Sequence, residues 1–570
     1  MAFISRACRL LFLIVYIVSF TDGLVIEPAF NDELNQFVAK TMKCQHIPGL
    51  TLSIVKGDET WSRGYGIKDL AGERKVDNST LFGIGSVSKS FTMVLVGILL
   101  KEKSMTWTTK VSDILGPEYE FIDEIRTKET TVRDLLSHRT GLARLDIGLL
   151  AGYKEDQISR KTFSKKLKHL PEAFPFRDRF LYNNHLYTLL GHIAEVLGND
   201  SWENLLKSRV FDPLGMTSTR LMLEPEDVLQ SDNALPLIYK DGVFKNGTSK
   251  LYHLFPTEPA GAILSNGEDM AKYMRFNLNN GKTDSGVQLI DEKMFPQAFI
   301  TTTPTSDQSF LNGAFLTEPD FPVSDTPMGY GYAWFTSSYR GNERIWHSGG
   351  LLSYITYLWL YPELKIGIFA SANGPGYGSF AGNAEKSILY YVSDYLLNKS
   401  AWINETTTCE FPTFWRDIPT NSTPGEVAVD LPSPSEYVGS YGTFYLPAIE
   451  VTVNPDDDKS LRFQMNRCGG LLHSTPDKDR FLMEVTSPYE LMMVFIDKNN
   501  ATSFVNATFQ RSGNTVNAIE FQYEVKVLYE KGLDVTNTSD IVPTTSTATP
   551  IFGESHFRLI SFCLINLLMW

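Results

Sequence analysis

The strongest chemical signal in the sequence is a serine followed three residues later by a lysine, Ser86 and Lys89, at the start of a long apolar segment. In a helix such residues share a face, so the hydroxyl and the amine can come within hydrogen-bonding distance. A serine hydroxyl is a poor nucleophile unless a neighbour takes its proton, and burial disfavours the charged form of a lysine. The pair therefore predicts acyl transfer to serine, although this spacing alone is also common by chance.

Two further motifs follow along the chain. Tyr182-Asn183-Asn184 precedes an amphipathic helical pattern, and the Trp-His-Ser-Gly-Gly sequence of Trp346–Gly350 precedes an apolar strand pattern. Three motifs in the order Ser-x-x-Lys, Tyr-x-Asn and His-x-Gly are much harder to meet by accident than one. With them, the sequence resembles the serine β-lactamase and D-alanyl-D-alanine carboxypeptidase superfamily, specifically its class C and esterase-like branch.

The resemblance covers roughly residues 30–400, where Val132–Leu142, Pro259–Asp269 and Tyr330–Trp334 are also similar to segments of the family. It implies an α+β fold, a β-lactamase/transpeptidase-like domain with an antiparallel sheet flanked by helices. Farther on, Glu436–Tyr441 is similar to the start of the small all-β, lipocalin-like domain that follows the catalytic domain in some members.

The resemblance also implies three catalytic residues. Ser86 would form the acyl intermediate, and Lys89 would accept its proton. Tyr182 would pass the proton to the leaving group and would activate the water that removes the acyl group. The backbone N–H of Ser86, near a helix N-terminus, would stabilise the oxyanion of the transition state.

Four residues would bind substrate by the same resemblance. Asn184 would orient the substrate amide or ester, and Gly350, after Gly349 of the His-x-Gly motif, would supply the second oxyanion N–H. His347 departs from the family, because β-lactamases and transpeptidases usually carry lysine there. Histidine is neutral over much of the range above pH ~6.5, so we expect weaker recognition of anionic β-lactams and peptide C-termini. Esters, small amides or peptides become the favoured substrates.

The resemblance leaves alternatives to a hydrolase open. Invertebrate extracellular members of this family include gigasin-type shell-matrix proteins, so a catalytically silent structural protein of the extracellular matrix is the second hypothesis. A β-lactam-binding sensor is a third, and His347 argues against it.

Hydrophobic periodicity places these motifs on structural elements. Leu50–Val55 and Glu59–Ile67 are typical of a strand hairpin, and Ser86–Leu100 is apolar nearly all round, which predicts a helix buried on every side. Tyr354–Pro362 and Leu364–Ala370 predict neighbouring antiparallel strands. A helix over Ala384–Leu397 would close the domain, so that its two ends meet in one sheet.

Composition changes divide the chain into five parts: a signal peptide over 1–23, a hydrolase domain over 24–400, a linker over 401–434, an antiparallel β domain over 435–530, and a Thr/Ser-rich stalk with an apolar tail over 531–570. Within the β domain, short period-two segments predict a barrel or sandwich. They are Ile449–Val453, Leu461–Met465, Phe481–Val485, Leu491–Ile496, Thr508–Gln510 and Ala518–Val527. We expect this domain to cover one side of the hydrolase domain.

Composition and charge exclude several functions. The 570 residues carry 52 Lys and Arg against 66 Asp and Glu, a net charge of −14 that repels phosphate backbones and argues against a nucleic-acid partner. The nine histidines are scattered without a metal-binding motif, so neither a metal nor another cofactor is expected. No Gly-x-Ser-x-Gly motif of an α/β-hydrolase occurs.

The two chain ends predict an exported protein. Residues 1–23 combine arginines, an apolar run and small residues, as in a secretory signal peptide. The apolar end after the Thr/Ser-rich stalk resembles a lipid-anchor attachment signal, and the alternative is the unanchored end of a secreted protein. The predicted location is extracellular, with membrane anchoring and matrix association both open.

Cysteines and glycosylation signals agree with export. Cys409 and Cys468 flank the same C-terminal region and are expected to form a disulfide, which leaves Cys44 as a buried free thiol. Nine Asn-x-Ser/Thr sites predict a glycosylated surface. They are Asn78, Asn199, Asn246, Asn398, Asn404, Asn421, Asn500, Asn506 and Asn537.

Overall fold

Both ends of the larger domain meet in one antiparallel sheet, as the hydrophobic pattern predicted. Its eight strands are β1 (Gly49–Lys56), β2 (Glu59–Gly66), β8 (Thr303–Pro304), β9 (Asp325–Tyr330), β10 (Phe335–Tyr339), β11 (Asn342–Leu351), β12 (Tyr354–Tyr361) and β13 (Ile366–Ala372). They lie in the order β2-β1-β13-β12-β11-β10-β9-β8, and Leu50 of β1 pairs with Ala372 of β13. Every residue of β13 is buried, which explains its continuous apolar run.

The protein is described by a computed structural model that covers residues 26–72, 74–152, 158–305, 321–376, 382–415, 430–431, 433–457, 459–486, 505–523 and 525–533. The predicted signal peptide, residues 416–429 and 432 of the linker, and nearly all of the stalk and tail lie outside these residues. Within the described part of the chain, no helix is both long and apolar enough to cross a bilayer.

Helices cover both faces of the sheet. They are α1 (Pro28–Cys44), α2 (Ser88–Glu102), α3 (Val111–Leu115), α4 (Glu124–Glu129), α5 (Val132–Leu136), α6 (Asp146–Ala151), α7 (Arg160–Lys166), α8 (His185–Gly198), α9 (Trp202–Leu206), α10 (Asp212–Leu214), α11 (Glu258–Gly261), α12 (Gly267–Leu278) and α13 (Asn383–Leu396). Short strands complete the domain: β3 (Phe82–Gly83), β4 (Arg220–Leu221), β5 (Leu237–Lys240), β6 (Val243–Asn246) and β7 (Ile263–Ser265).

The central helix α2 is buried from Ser88 to Leu100, as its apolar composition predicts. The helix begins two residues later than the pattern suggested, because Gly85–Val87 forms a 3₁₀ turn in front of it. The helix packs against α8 and α11. This helix without a polar face thus buries Lys89, the partner of Ser86, in the interior of the domain.

The C-terminal region is a closed eight-stranded antiparallel barrel. Its strands are β14 (Gly439–Gly442), β15 (Ile449–Val453), β16 (Ser460–Met465), β17 (Cys468–Ser474), β18 (Arg480–Val485), β19 (Val505–Ser512), β20 (Thr515–Gln522) and β21 (Lys526–Lys531). The barrel closes where Tyr441 of β14 pairs with Lys531 of β21. Of the predicted strands, Leu491–Ile496 lies outside the described residues.

Two sequence-based assignments in the barrel were wrong. The segment Ala518–Val527 is not one strand but the hairpin of β20 and β21, in which Gln522 pairs with Lys526. Strand β17 was missed because Gly469 and Gly470 interrupt the alternation of apolar residues. A side chain at Gly470 would collide with the carbonyl oxygen of Glu484, so close strand packing requires glycine there.

The barrel packs directly on helices of the larger domain. The ring of Tyr445, which follows β14, lies 5.1 Å from the ring of His185 and 6.1 Å from that of Phe163. In the turn between β16 and β17, Asn466 Nδ2 and Arg467 Nε each donate to the carbonyl oxygen of Ala151 at 3.2 Å. The barrel therefore covers the side of the domain formed by α6, α7 and the start of α8.

The disulfide joins Cys44 to Cys409, not Cys409 to Cys468 as expected. Cys44 ends helix α1, and the turn Thr407–Glu410 folds back against it, so the two Cα atoms are 5.4 Å apart. Gln45 Nε2 holds this contact by donating to the carbonyl oxygens of Thr408 and Cys409. Cys468 is a buried free thiol within β17. Closeness in sequence was misleading because tertiary packing brings the distant helix to the linker.

Six of the predicted glycosylation sites are exposed, namely Asn78, Asn199, Asn246, Asn398, Asn404 and Asn506. Asn421, Asn500 and Asn537 lie outside the described residues. Exposure is necessary for modification, and glycosylation stays a prediction.

Replacing Cys44 with serine should lower the free energy of unfolding by about 2–4 kcal/mol, because the cross-link restricts the unfolded chain. Urea unfolding measures this loss. Cys409→Ser should give the same loss, and the double variant should add little to it. A peptide map that links Cys409 to Cys468, or unequal losses in the two single variants, would contradict the pairing.

Candidate active site

The structure brings Ser86 and Lys89 into direct contact. Lys89 Nζ lies 3.0 Å from Ser86 Oγ and 2.8 Å from the carbonyl oxygen of Ala260, to which it donates. Ser86 is partly exposed in the 3₁₀ turn, while Lys89, the second residue of α2, is fully buried. The amine therefore sits beneath a hydroxyl that a ligand can reach.

Tyr182 reaches the same place from a distant part of the chain. Its ring centroid is 4.8 Å from Lys89 Nζ, and only 5% of Tyr182 is exposed. The centroid of the ring of Tyr187, in the first turn of α8, lies 5.3 Å from the same Nζ. The three residues predicted to be catalytic thus form one cluster at the N-terminal end of α2.

Strand β11 runs directly beside the turn that carries Ser86. Gly85 has a φ of +50°, and a Cβ there would lie 2.9 Å from the backbone nitrogen of Gly350. A Cβ at Gly349 would collide with the carbonyl oxygen of Ile84. The two backbones can approach this closely only because both positions are glycine. This contact places the main chain of Gly350 next to Ser86.

Asn184 immediately precedes α8, where Asp146 fixes its side chain. Asn184 Nδ2 donates to Asp146 Oδ1 at 2.9 Å, and Arg144 Nε donates to Asp146 Oδ2 at 3.1 Å. Sequence reasoning did not identify Arg144 or Asp146, because no motif links them to the residues around Tyr182. The carbonyl of Ala151 that the barrel contacts ends the helix that Asp146 begins.

His347 is buried and neutral. Its Nδ1 lies 2.6 Å from the carbonyl oxygen of Ser348, which can only accept, so Nδ1 carries the proton. Nε2 therefore accepts from the hydroxyl of Tyr330 at 3.0 Å. Burial, together with the nearby charge of Lys89, lowers the pKa of His347 to about 3. The position that usually holds a lysine cation thus carries no charge at physiological pH.

A buried ion pair anchors the carbonyl that holds Lys89. Ala260 lies in the short helix α11, whose first residue Glu258 accepts from Arg160 Nη2 at 2.8 Å. Thr92, on the same helix as Lys89, donates to the carbonyl oxygen of Pro259 at 2.7 Å. Sequence reasoning noted the segment around Pro259 only by resemblance, and Arg160 carried no signal at all, because its partners come from three separate helices.

No group of three or more His, Cys, Asp and Glu side chains suited to a metal ion occurs among the described residues. The polar groups that meet here are a hydroxyl next to an amine, with a phenol ring and glycine backbone alongside.

Comparisons with known proteins agree with this geometry. A family model described as beta-lactamase matches residues 34–392. The unguisins hydrolase ungD of Aspergillus violaceofuscus is 29% identical over 355 residues, which are 60% of this chain and 61% of that relative, so the match spans about three fifths of its length. Gigasin-6 of Magallana gigas is 29% identical over 254 residues, 43% of this chain and 82% of gigasin-6.

Among solved structures, the octameric penicillin-binding protein homologue from Pyrococcus abyssi is similar with a TM-score of 0.52. The sequences are 20% identical, and the alignment covers 88% of this chain and 99% of that one. At this identity the similarity shows the fold alone.

Gly349→Ala should lower the free energy of unfolding by about 1–3 kcal/mol, because the added methyl group forces β11 away from the carbonyl of Ile84. Gly261→Ala is the matched control: its Cβ would meet Leu254 Cδ1 at an ordinary 3.6 Å. Urea unfolding of both variants tests the close approach. Equal free energies of unfolding for the two variants would contradict the close approach of Gly349 to the carbonyl of Ile84.

Proposed function

The chain belongs to the β-lactamase family, and we propose that it is a serine hydrolase that acts through an acyl-enzyme formed on Ser86. The observation that carries the proposal is the 3.0 Å contact between Ser86 Oγ and Lys89 Nζ beside the ring of Tyr182. A hydroxyl, a proton acceptor and a second proton carrier are the minimum set for acyl transfer to serine.

In the first half of the reaction, Lys89 acts in its neutral form, which burial favours over the ammonium form, and it accepts the Ser86 proton as Oγ bonds to the substrate carbonyl carbon. The carbonyl oxygen takes the electron pair and becomes an oxyanion. The backbone N–H groups of Ser86 and Gly350 stabilise it, since their chains lie side by side. The phenol of Tyr182 gives a proton to the leaving group as the tetrahedral intermediate collapses to the acyl-enzyme.

In the second half, water replaces the leaving group. Tyr182, now lacking its proton, accepts one from the attacking water as the water oxygen bonds to the acyl carbon. When the second tetrahedral intermediate collapses, the bond between the acyl carbon and Ser86 Oγ breaks, Oγ takes back the proton held by Lys89, and the acid is released. Lys89 Nζ lies 3.0 Å from Ser86 Oγ and 4.8 Å from the centroid of the Tyr182 ring, so the three groups that exchange protons are close neighbours.

Neutral His347 supports substrates that lack a carboxylate at the recognition position. The imidazole carries no charge, and its Nε2 is already bonded to Tyr330. An anionic group placed there would lose its water without gaining a cationic partner. We therefore propose esters, small amides or peptides as substrates, oriented by Asn184, with β-lactams poorly recognised. The similarity to the unguisins hydrolase ungD supports a hydrolytic activity.

We further propose that the protein is exported and glycosylated. The signal-like residues 1–23, the exposed sequons and the Cys44–Cys409 disulfide all support an oxidising extracellular location. Attachment of the C-terminal end to a lipid anchor is a proposal that rests on the sequence of the tail alone.

The similarity to gigasin-6 favours a second candidate function, a catalytically silent structural protein of an extracellular or shell matrix. This candidate predicts that the protein is retained in an insoluble matrix and that loss of the Ser86 hydroxyl has no effect there.

Ser86→Ala should abolish labelling by a fluorophosphonate probe and reduce hydrolysis of p-nitrophenyl esters by at least ~10³-fold, because the acyl-forming oxygen is gone. The matched control is Ser88→Ala, which removes a buried hydroxyl from the same segment. Ser88 accepts only from the backbone N–H of Ile263 at 3.2 Å, so this variant should retain labelling and activity within a few-fold. Absence of labelling in folded wild-type protein would favour the structural function.

The preference for neutral substrates should not depend on pH between 8 and 6. His347, with a pKa of about 3, stays uncharged throughout this range. The ratio of kcat/KM for anionic nitrocefin to kcat/KM for neutral p-nitrophenyl acetate should therefore stay low and change less than about twofold. A histidine with an ordinary pKa near ~6.5 would gain its charge as the pH falls. A ratio that rises several-fold at pH 6 would contradict a neutral His347.

A further inference from the structure

His138 lies behind the cluster of Ser86, Lys89 and Tyr182, in a segment that sequence reasoning noted only by resemblance. It follows helix α5 with a φ of +54° and is completely buried. None of the steps proposed above uses it. Its contacts nevertheless point to one residue of the mechanism.

Two hydrogen bonds from the chain on either side of Tyr182 end on His138. The backbone N–H of Leu181 donates to the carbonyl oxygen of His138 at 2.8 Å. The backbone N–H of Asn183 donates to Nδ1 of the imidazole at 3.1 Å. Between these bonds, the ring of Tyr182 lies 4.4 Å from the ring of His138. One residue thus holds the segment both before and after Tyr182 and also packs against its side chain.

The hydrogen bond from Asn183 requires a particular form of the imidazole. Nδ1 can accept only when it carries no proton, so the neutral ring must carry its proton on Nε2. Burial, and then the positive charges of Lys89 and Arg144, hold the pKa of His138 well below its usual range. Protonation would destroy the acceptor, and the buried environment prevents it.

We propose that His138 is a positioning residue that clamps Tyr182 against Lys89 through the acceptor at Nδ1. The proposal rests on the hydrolase function proposed above and assigns a determinant of its proton transfer. His138 does not touch the reacting atoms. It fixes the position and orientation of the Tyr182 phenol, because the N–H groups of Leu181 and Asn183, on either side of Tyr182, are both hydrogen-bonded to His138.

Two amide variants separate the effect of losing the Nδ1 acceptor from the effect of losing the imidazole ring. Asparagine places an amide oxygen close to the position of Nδ1 and tolerates the positive φ, so His138→Asn should keep kcat for a p-nitrophenyl ester within about threefold. Glutamine places its amide at the position of Nε2 and leaves the N–H of Asn183 unpaired. His138→Gln should reduce kcat by about 10–100-fold with little change in KM, since misplacement by about 1 Å can have this effect.

A double-variant cycle with Tyr182→Phe shows whether the effect passes through Tyr182. When the phenol is already absent, His138→Gln should change the residual kcat less than about twofold. If His138→Gln slows the Tyr182→Phe enzyme as strongly as it slows wild type, His138 is only a structural residue and the proposal is overturned. Wild-type activity in His138→Gln would overturn it equally.

The tautomer can be measured in the wild-type protein, which covers the case in which His138→Gln does not fold. In protein labelled with ¹⁵N-histidine, the signals of His138, assigned by their loss in His138→Asn, should show a proton on Nε2 and no titration from pH 5 to 9. A proton on Nδ1, or titration in this range, overturns the clamp. An inactive wild type with unlabelled Ser86 but the expected tautomer would instead overturn the proposed hydrolase function.

Discussion

Burial of the Lys89 amine is the constraint on which the rest of the active site depends. The residue is fully buried inside an apolar helix, and its Nζ has Ser86 Oγ and the Ala260 carbonyl within hydrogen-bonding distance. An ammonium group removed from water must be compensated by nearby polar atoms, and it disfavours other cations around it. Both neighbouring histidines, His138 and His347, accordingly have pKa values lowered first by burial and then by Lys89.

Because both imidazoles are neutral, each accepts a hydrogen bond that a protonated ring could not accept. His347 accepts from Tyr330 and donates to the carbonyl of Ser348, whereas His138 accepts from the backbone beside Tyr182. The helix that carries the Ala260 carbonyl is anchored by the buried pair of Glu258 and Arg160, and Arg160 joins α7 to three other helices. The hydrogen bonds of the site thus depend on both imidazoles staying neutral beside the buried amine of Lys89.

The elements with strong periodicity could be predicted from the sequence, and those defined by partners could not. The all-round apolar helix α2 and the adjacent strands β12 and β13 were found, because their burial pattern is local. The pairing of Cys44 with Cys409 was missed, since it depends on a linker folding back across 365 residues. Strand β17 was missed for another reason: its glycines serve close packing and carry no hydrophobic signal.

The sequence by itself determined which functional groups are available: a serine and a lysine one helical turn apart, a tyrosine before a helix, and two glycines on a strand. It also determined that the usual lysine of the third motif is a histidine. Only the tertiary structure decided how those groups are used. The neutrality of His347, the fixing of Asn184 by Asp146 and the placement of Tyr182 by His138 all arise from contacts between distant segments. Local sequence encodes side-chain chemistry and periodicity, whereas desolvation and hydrogen-bond partnership exist only after the chain has packed.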